Sequence, residues 1–374
     1  MLSLQELDTR DSHKVRAFLD LPFRLYRDVP QWVPPLASDA ARMLDRRRHP
    51  FYQHSDAAFY LVLREGRAVG RIAVLDNRHY NEFNHERTAF FTLFESENDS
   101  DISEMLFDSA IKWARERELT KMVGPKGFTA LDGMGLLVRG FEHRPAFGIA
   151  YNPAYYAGLV ECAGFRTQGE LVSGYMSRQA PFPPRIHEVA EMVQRSRRGL
   201  TIQRFRTRRE LRRIIPHLRE LYNSSLGGTT GNTPLTDAEV NAMASQLEWF
   251  ADPRLIKIVL KGDQPVGFLL AYPDISAAVQ RSKGRFLPLG WADMLLELKR
   301  TCWVNINGAG IVEKYRGLGG TALLFSEMHK SIVECGYEHA DIVQIGVENE
   351  RMQREMHSLG IDFYKAHRVY ERAL

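Results

Sequence analysis

The residues Gly310 to Leu324 read GIVEKYRGLGGTALL, with one arginine and three glycines between a β-rich run and a helical run. A strand, a glycine-rich turn and a helix start together aim several backbone N–H groups into one concavity. The helix dipole adds roughly half a positive charge there. Such a nest suits a phosphate or diphosphate. Gly317, Gly319 and Gly320 permit close backbone approach and positive φ. Arg316 could anchor either the turn or a bound anion. A plain strand-to-helix turn would use the same residues. The stretch is not a Walker loop, because no Gly-Lys-Ser/Thr follows, and its glycine spacing is wrong for a dinucleotide fingerprint.

Other residues could do chemistry nearby. Asn305 and Asn307 alternate with Val304 and Ile306. Period two puts both asparagines on one face, lining a cavity or facing solvent. Gly308 and Gly310 fit a strand that bends or is closely approached by a ligand. Glu348 follows the next strand-like run and could serve as a base, or simply favour a helix start. The first half has a comparable strand, TAFFTLFES, but it runs into acids: Glu95, Glu97, Asp99 and Asp101. As free carboxylates these would repel a diphosphate; as an ordinary loop and helix cap they would leave no room for one. The segment Arg195 to Arg213 carries nine arginines in 19 residues, which could grip an anion or RNA, or form a solvated linker and helix face. The tyrosines Tyr151, Tyr155 and Tyr156 could wall a pocket, though their helical spacing suits core packing.

The elements that must position these residues repeat. In the first half a helical run (DSHKVRAFLDLPFRLY) precedes an extended Pro-aromatic segment (DVPQWVPPL). A hairpin turning at Glu65 and Gly66 follows, then the strand RTAFFTLFES, the amphipathic helix DISEMLFDSAIKWARERE, the short strand KMVGPKG and a helix ending at Gly164. In the second half a strand (LTIQRFR) leads to a helix kinked or broken by Pro216. A polar loop, a helix over DAEVNAMASQLEWFAD and a hairpin at Gly262 and Asp263 come next. The strand CWVNINGAGIV, a helix stopping at Gly336, the strand ADIVQIGV, the helix NERMQREMHSLG and the closing strand FYKAHRVYERAL complete it. Hairpin, strand, helix, strand and helix thus occur twice, the pattern of a duplication. The boundary falls where prolines and then arginines cluster, giving domains at 1–190 and 200–374. The segment SAAVQRSKGRFLPLGWADMLLELKRT stands outside the repeat and reads as an inserted helix capping the site or the seam between domains.

The totals agree with a globular protein. The chain has 374 residues, 44% hydrophobic and 26% charged, with a net charge of +4. That charge permits an anionic ligand without demanding nucleic acid. Cys162, Cys302 and Cys335 are far apart and lack metal-ligand spacing, so reduced thiols, a cytoplasmic location and no metal are expected. No apolar run approaches the roughly 18 residues of a membrane span, so no membrane partner is expected.

The run VEKYRGLGGTALL resembles the pyrophosphate-binding motif of the GNAT superfamily of acyl-CoA-dependent N-acyltransferases, Arg/Gln-x-x-Gly-x-Gly/Ala after a strand and at a helix start. Here the motif positions are Arg316, Gly319 and Thr321; the last departs from Gly/Ala, and its hydroxyl could itself donate to phosphate. ENERMQREMHSLG…YKAHRVYERAL resembles the C-terminal end of a group of tandem GNAT-like proteins of unestablished substrate. RDVPQWVPPL, HPFYQHSDAAFYLVLREGRAVGRIA and YNPAYYAGLVECAGF resemble their N-terminal half. The resemblance covers nearly the whole chain.

It implies an α/β (mixed α+β) fold: two tandem domains, each a central mixed, mostly antiparallel sheet flanked by helices, the first a degenerate copy without a phosphate turn. It implies acetyl-CoA or another acyl-CoA as co-substrate, held by Gly310, Ile311, Val312, Arg316, Gly317, Leu318, Gly319, Gly320, Thr321 and Asn349. The acceptor would be the amine of a small molecule, against Tyr222, Asn305 and Asn307, with the loop Tyr222–Leu235 over it. Many of these enzymes use a Tyr seven residues after the Asn as general acid. That position is Met356 here, leaving Glu348, His357 and Tyr364 as the catalytic candidates, with Tyr370 a further substitute. A monomer or homodimer is expected. Two other readings stay open: a transferase using aminoacyl-tRNA, and a non-catalytic binder of acyl-CoA or a metabolite.

Overall fold

The computed structural model describes residues 1–196, 199–226, 233–242 and 251–374. The first half contributes β1 (Leu2–Glu6), β2 (Asp56–Arg64), β3 (Arg67–Asp76), β4 (Thr88–Ser96), β5 (Lys121–Gly124), β6 (Leu136–Arg139) and β7 (Arg166–Ser177). The second contributes β8 (Leu200–Arg204), β9 (Ile256–Lys261), β10 (Gln264–Pro273), β11 (Trp303–Ile311), β12 (His339–Gly346) and β13 (Asp362–Ala373). All thirteen join one sheet in the order β1-β2-β3-β4-β5-β13-β7-β12-β11-β10-β9-β8, with β6 pairing β13 off this path.

The order is symmetric about its centre, and its centre is crossed. β13 pairs with β5 of the first half, Tyr370 opposite Gly124, and β7 pairs with β12 of the second, Ala340 opposite Met176. Each half supplies the strand that extends the other's sheet. The mixed sheets of the two halves, flanked by helices as expected, thus join edge to edge in a single continuous sheet. The long strand β7 had no counterpart in the sequence reading, because RTQGELVSGYMS alternates weakly and contains two glycines.

Alternation along the strands divides two cores. In β2, Ala58, Tyr60 and Val62 join Ile102, Leu106 and Ala110 of the helix Ser100–Arg115. Ala57, Phe59 and Leu61 join Phe18 of the helix Ser12–Leu25 on the other face. Both faces are covered, which is why β2 reads as a continuous apolar run. In the second half the helix Gly320–Cys335 packs Leu323, Leu324 and Met328 against Val304, Ile306 and Ile342. Leu218 and Leu221 of the helix Ile215–Leu226 meet Ile256, Ile258 and Phe268 on the opposite face. The chain breaks between the helices Arg208–Arg212 and Ile215–Leu226, so Pro216 falls in a first helical turn, where it is tolerated.

The parallel pairs are short. β11 and β12 pair only from Trp303 opposite His339 to Ile306 opposite Ile342, and β4 and β5 only over Thr88–Phe90. Beyond those points the strands part. The inserted segment forms two helices, Ser276–Ser282 and Gly290–Arg300. Their buried residues Ile275, Val279 and Met294 pack with Val33, Leu36 and Phe147 of the first half, which places the insertion on the seam.

Candidate functional site

Where β11 leaves β12, the chain runs through a short turn, Glu313–Tyr315, to Gly317 and Gly319 at φ 80° and 92°. These left-handed conformations explain both glycines. A Cβ on Gly319 would also stand 2.3 Å from Cγ2 of Val193 on the helix Pro184–Arg195. Gly319 is the N-cap of the helix Gly320–Cys335, and no side chain caps that end. The first-turn amides at Gly320, Thr321 and Ala322 have no acceptor within the helix. Thr321 and Ala322 border a cavity of about 270 Å³, lined also by Gly317, Gly319 and Phe325, and by Arg351, Glu355, Ser358, Leu359 and Ile186. Arg316 is the anchor of the turn. Its Nε donates to Ile311 O at 3.1 Å and its Nη2 to Ser225 O at 3.0 Å, tying the turn to the helix Ile215–Leu226.

The equivalent helix start in the first half is closed by its own acid. Asp99 caps the helix Ser100–Arg115, its Oδ1 accepting from Asp101 N at 3.0 Å. Glu97 is gripped by Arg24 at 2.7 Å, Arg64 at 3.1 Å and Arg67 at 3.4 Å. Glu95 lies in the interior, accepting from the hydroxyls of Tyr26 at 2.7 Å and Tyr156 at 2.8 Å. Burial pushes its carboxyl up, and the buried Arg71 opposes that. Three of the four acids are thus fixed in place rather than loose on a solvated loop.

The residues expected from the sequence are scattered in role. On β11, Gly308 to Ile311 pair with β10, while pairing toward β12 stops at Ile306. Gly310 is approached by Ser225, whose Cβ would be 2.9 Å from an added Cβ. The amide of Val312 donates to Val266 O at 2.9 Å and is therefore not open to a ligand. Leu318 packs at the edge of the second-half core. Asn305 and Asn307 do not share an environment. A register break between Leu270 and Ala271 leaves Asn307 without a partner residue on β10 and exposed, while Asn305 is buried and donates to Asp274 Oδ1 at 3.1 Å. Asn349 caps its own helix, accepting from Met352 N at 3.1 Å.

Glu348 and His357 are exposed, His357 edge-on to Phe363. Tyr364 is half-buried among Asp341, Tyr175 and His143, and burial and the Asp341 carboxylate raise its hydroxyl pKa far beyond its usual value. These three stand in separate surroundings. Tyr370 is fully buried in the first-half core. The loop over Tyr222–Leu235 falls partly outside the described residues, as does the helix over DAEVNAMASQLEWFAD. Of the arginine run, Arg204 is committed to the buried Glu327 at 2.6 Å, and Arg197 and Arg198 lie outside the described residues. At the far ends of β11 and β12, Cys302, Glu338 and His339 bring ligand-type atoms within 4.8 Å of one another, a proximity that the spacing of the cysteines did not indicate.

A second polar group builds from both halves beside the parted strands. Tyr222 stacks on Phe268, ring centroids 6.1 Å apart, and Phe268 lies against Gly308 and Gly310. Burial, reinforced by the Glu239 charge, pushes the Tyr222 hydroxyl up to about 12. The same Glu239 acts on the half-buried Asp132 and on His54. Asp132 belongs to a first-half loop held on β12, where Gln344 bonds both Met134 N at 3.0 Å and Met134 O at 2.6 Å. His79 Nε2 bonds Pro234 O at 2.9 Å, and the His54 and His79 rings lie 5.3 Å apart. Two buried atoms here, His54 Nε2 and Thr233 Oγ1, have no partner among the described residues. Burial, then His79, lowers the His54 pKa, so its imidazole is neutral near pH 7. The sequence carried no local signal for this group, since His54, His79, Asp132 and Glu239 come from four distant segments.

No family model matches the chain. Among curated proteins it is 28% identical over 381 residues to the bacterial ceramide synthase of Caulobacter vibrioides (strain NA1000 / CB15N), covering 99% of this chain and 98% of that one. It is 26% identical over 372 residues to protein YghO of Escherichia coli (strain K12), covering 97% and 94%. Among solved structures it superposes on a tandem GNAT protein from the clavulanic acid biosynthesis pathway with a TM-score of 0.58, at 14% identity over 100% of this chain and 98% of that one. A GCN5-related N-acetyltransferase from Sphaerobacter thermophilus gives a TM-score of 0.52 at 14% identity, over 100% and 95%. With strand order, parted parallel pair and glycine turn all in place, the chain has the tandem GNAT fold.

Proposed function

We propose that this chain is an N-acyltransferase that moves an acyl group from acyl-CoA to the amine of a long-chain amino alcohol, forming an amide. The observation that carries the cofactor half of this reading is the uncapped glycine turn, which opens on a cavity of about 270 Å³ and follows a strand, β11, whose pairing with β12 stops at Ile306. First-turn amides and the helix dipole suit a diphosphate, and an unpaired strand edge suits an amide-bearing arm laid along it. The long-chain acceptor is supported by the relative named a ceramide synthase, similar over almost the whole length of both chains; a ceramide is an N-acylated long-chain amino alcohol. It replaces acetyl transfer to a small amine as the preferred reading.

Chemically, the neutral amine nitrogen attacks the thioester carbonyl carbon, the carbon–sulfur bond breaks, and the thiolate departs to be protonated. The amine must lose a proton to a base as the amide forms. We assign that proton to His54: its pKa is lowered by burial, its Nε2 is unpartnered among the described residues, and the Glu239 charge would favour the imidazolium. In this reading, with domains at 1–190 and 200–374, the second carries the cofactor turn and the first lends His54, His79 and Asp132 to an acceptor group built from both.

The test is thiol release with mass-spectrometric detection of the amide, using acetyl-CoA and fatty acyl-CoA against a long-chain amino alcohol and a panel of small amines. Fatty amide should form on the long-chain acceptor, and His54→Gln should lower turnover about 10²-fold or more with acyl-CoA affinity unchanged. Product from acetyl-CoA and small amines alone would overturn the long-chain reading. Thiol release from no pair would overturn the transferase reading.

A further inference from the structure

The insertion between β10 and β11 carries more exposed apolar surface than its packing requires. Met294, Val279 and Ile275 already bury its inner side. On its outer side Leu287 is 77% exposed, Leu289 72%, Trp291 46%, Leu295 41% and Leu296 46%. Isolated exposed apolar residues are ordinary, but five within ten positions of one short element are not. Trp291 and Leu295 are one turn apart on the helix Gly290–Arg300, and Leu287 and Leu289 lie in the loop that leads into it. Water therefore meets a contiguous apolar ridge.

The charge around the ridge is net positive. Residues 281–300 include five basic and two acidic side chains, an excess of three positive charges. Arg281 engages both acids, Asp293 at 2.8 Å and Glu297 at 2.5 Å. Arg300 also acts on Asp293, which leaves Lys283, Arg285 and Lys299, all exposed, as the segment's excess positive charge. An apolar ridge with a tryptophan and flanking lysines and arginines is suited to the boundary between headgroups and acyl chains of an anionic bilayer. A second protein would more commonly be met by mixed charge around such a ridge. Among the described residues no helix is long and apolar enough to cross a membrane, so the contact would lie in the interface.

We infer that residues 283–300 form an interfacial docking element that seats the protein on an anionic phospholipid surface. The element is joined to the candidate site through its root: Asp274 accepts from Ser276 Oγ at 2.6 Å, where the insertion begins, and from Asn305 of β11. Docking would therefore set the orientation of β11 to the bilayer, from which a long-chain amine could be drawn. The docking rests on exposure and charge and does not require the transferase reading.

The test is sedimentation of the full chain with phosphatidylcholine vesicles that contain or lack phosphatidylglycerol, at low and high salt. The wild type should sediment with the anionic vesicles and be released by salt. Leu295→Gln/Leu296→Gln and, separately, Lys283→Glu/Arg285→Glu should each weaken binding about tenfold or more, with melting temperatures close to that of the wild type. Acylation of a detergent-dispersed acceptor should be unchanged in both. Equal sedimentation with and without vesicles would overturn the inference. So would gel filtration showing a dimer that Leu295→Gln/Leu296→Gln splits while vesicles bind no form, since the ridge would then be a self-interface.

Discussion

At the residue scale the two helix starts differ in one side chain's duty. Asp99 puts a carboxylate on the amides of the helix Ser100–Arg115, whereas Gly319 leaves those of the helix Gly320–Cys335 open. A single substitution can transfer that difference. Thr321 is half-buried, lines the cavity and sits in the first helical turn. Thr321→Glu should raise stability slightly, by about 0.3–1 kcal/mol, because a carboxylate favours a helix N-terminus. It should weaken CoA binding about tenfold or more by setting a negative charge against a diphosphate. Thermal melting and calorimetry with CoA read the two effects with opposite signs. Unchanged CoA affinity in a folded variant would remove the turn from cofactor binding. Gly319 is a poorer probe, because Val193 and a φ of 92° would make its substitution a folding defect. The turn was legible in the sequence because its elements are local. The choice between the two roles open to Arg316, anchor of the turn or of an anion, was not, because its acceptors Ile311 O and Ser225 O include one from 91 positions away.

At the element scale the crossed strands explain a buried ion pair. Lys365 of β13 reaches Asp341 of β12 at 2.5 Å, both side chains almost fully buried, and the two strands are separated by β7. The pair thus spans three strands and both halves. Burial pushes the Asp341 carboxyl up, while Lys365 pulls it back. Removing one partner leaves the other charge stranded. Lys365→Met should cost about 3–5 kcal/mol, and the double variant with Asp341→Leu should recover most of it. Chemical denaturation of the two variants measures the difference. A double variant no more stable than Lys365→Met would show that packing, rather than charge, fixes the crossing. The helix periods and both hairpins were readable in the sequence. The different surroundings of Asn305 and Asn307 were not, because a register break between strands is a property of the partner as much as of the strand.

At the scale of the whole molecule, neither half closes its own sheet. β5 would lose its neighbour without β13, and β12 without β7. Bare strand edges of this kind aggregate or pair with other chains. Residues 1–196 and 199–374 expressed apart should each fail to give a cooperative melt, whereas co-expression should yield a folded 1:1 complex. Gel filtration and circular dichroism provide the readout. Independent cooperative folding of either piece would refute mutual dependence. The candidate acceptor group belongs to the same scale, with His54 and Asp132 of one half meeting Tyr222 and Glu239 of the other.

By itself the sequence determined the repeated order of elements, the apolar faces that pack on both sides of the sheet, and the glycine turn with its helix. Each depends on interactions within a few residues or on a fixed period. The tertiary structure alone decided that β7 and β13 cross between the halves, that Arg316 holds the turn, and that four distant polar residues gather beside the parted strands. Those outcomes depend on which strand edges and buried charges find partners in space, and residue spacing along the chain does not encode that choice.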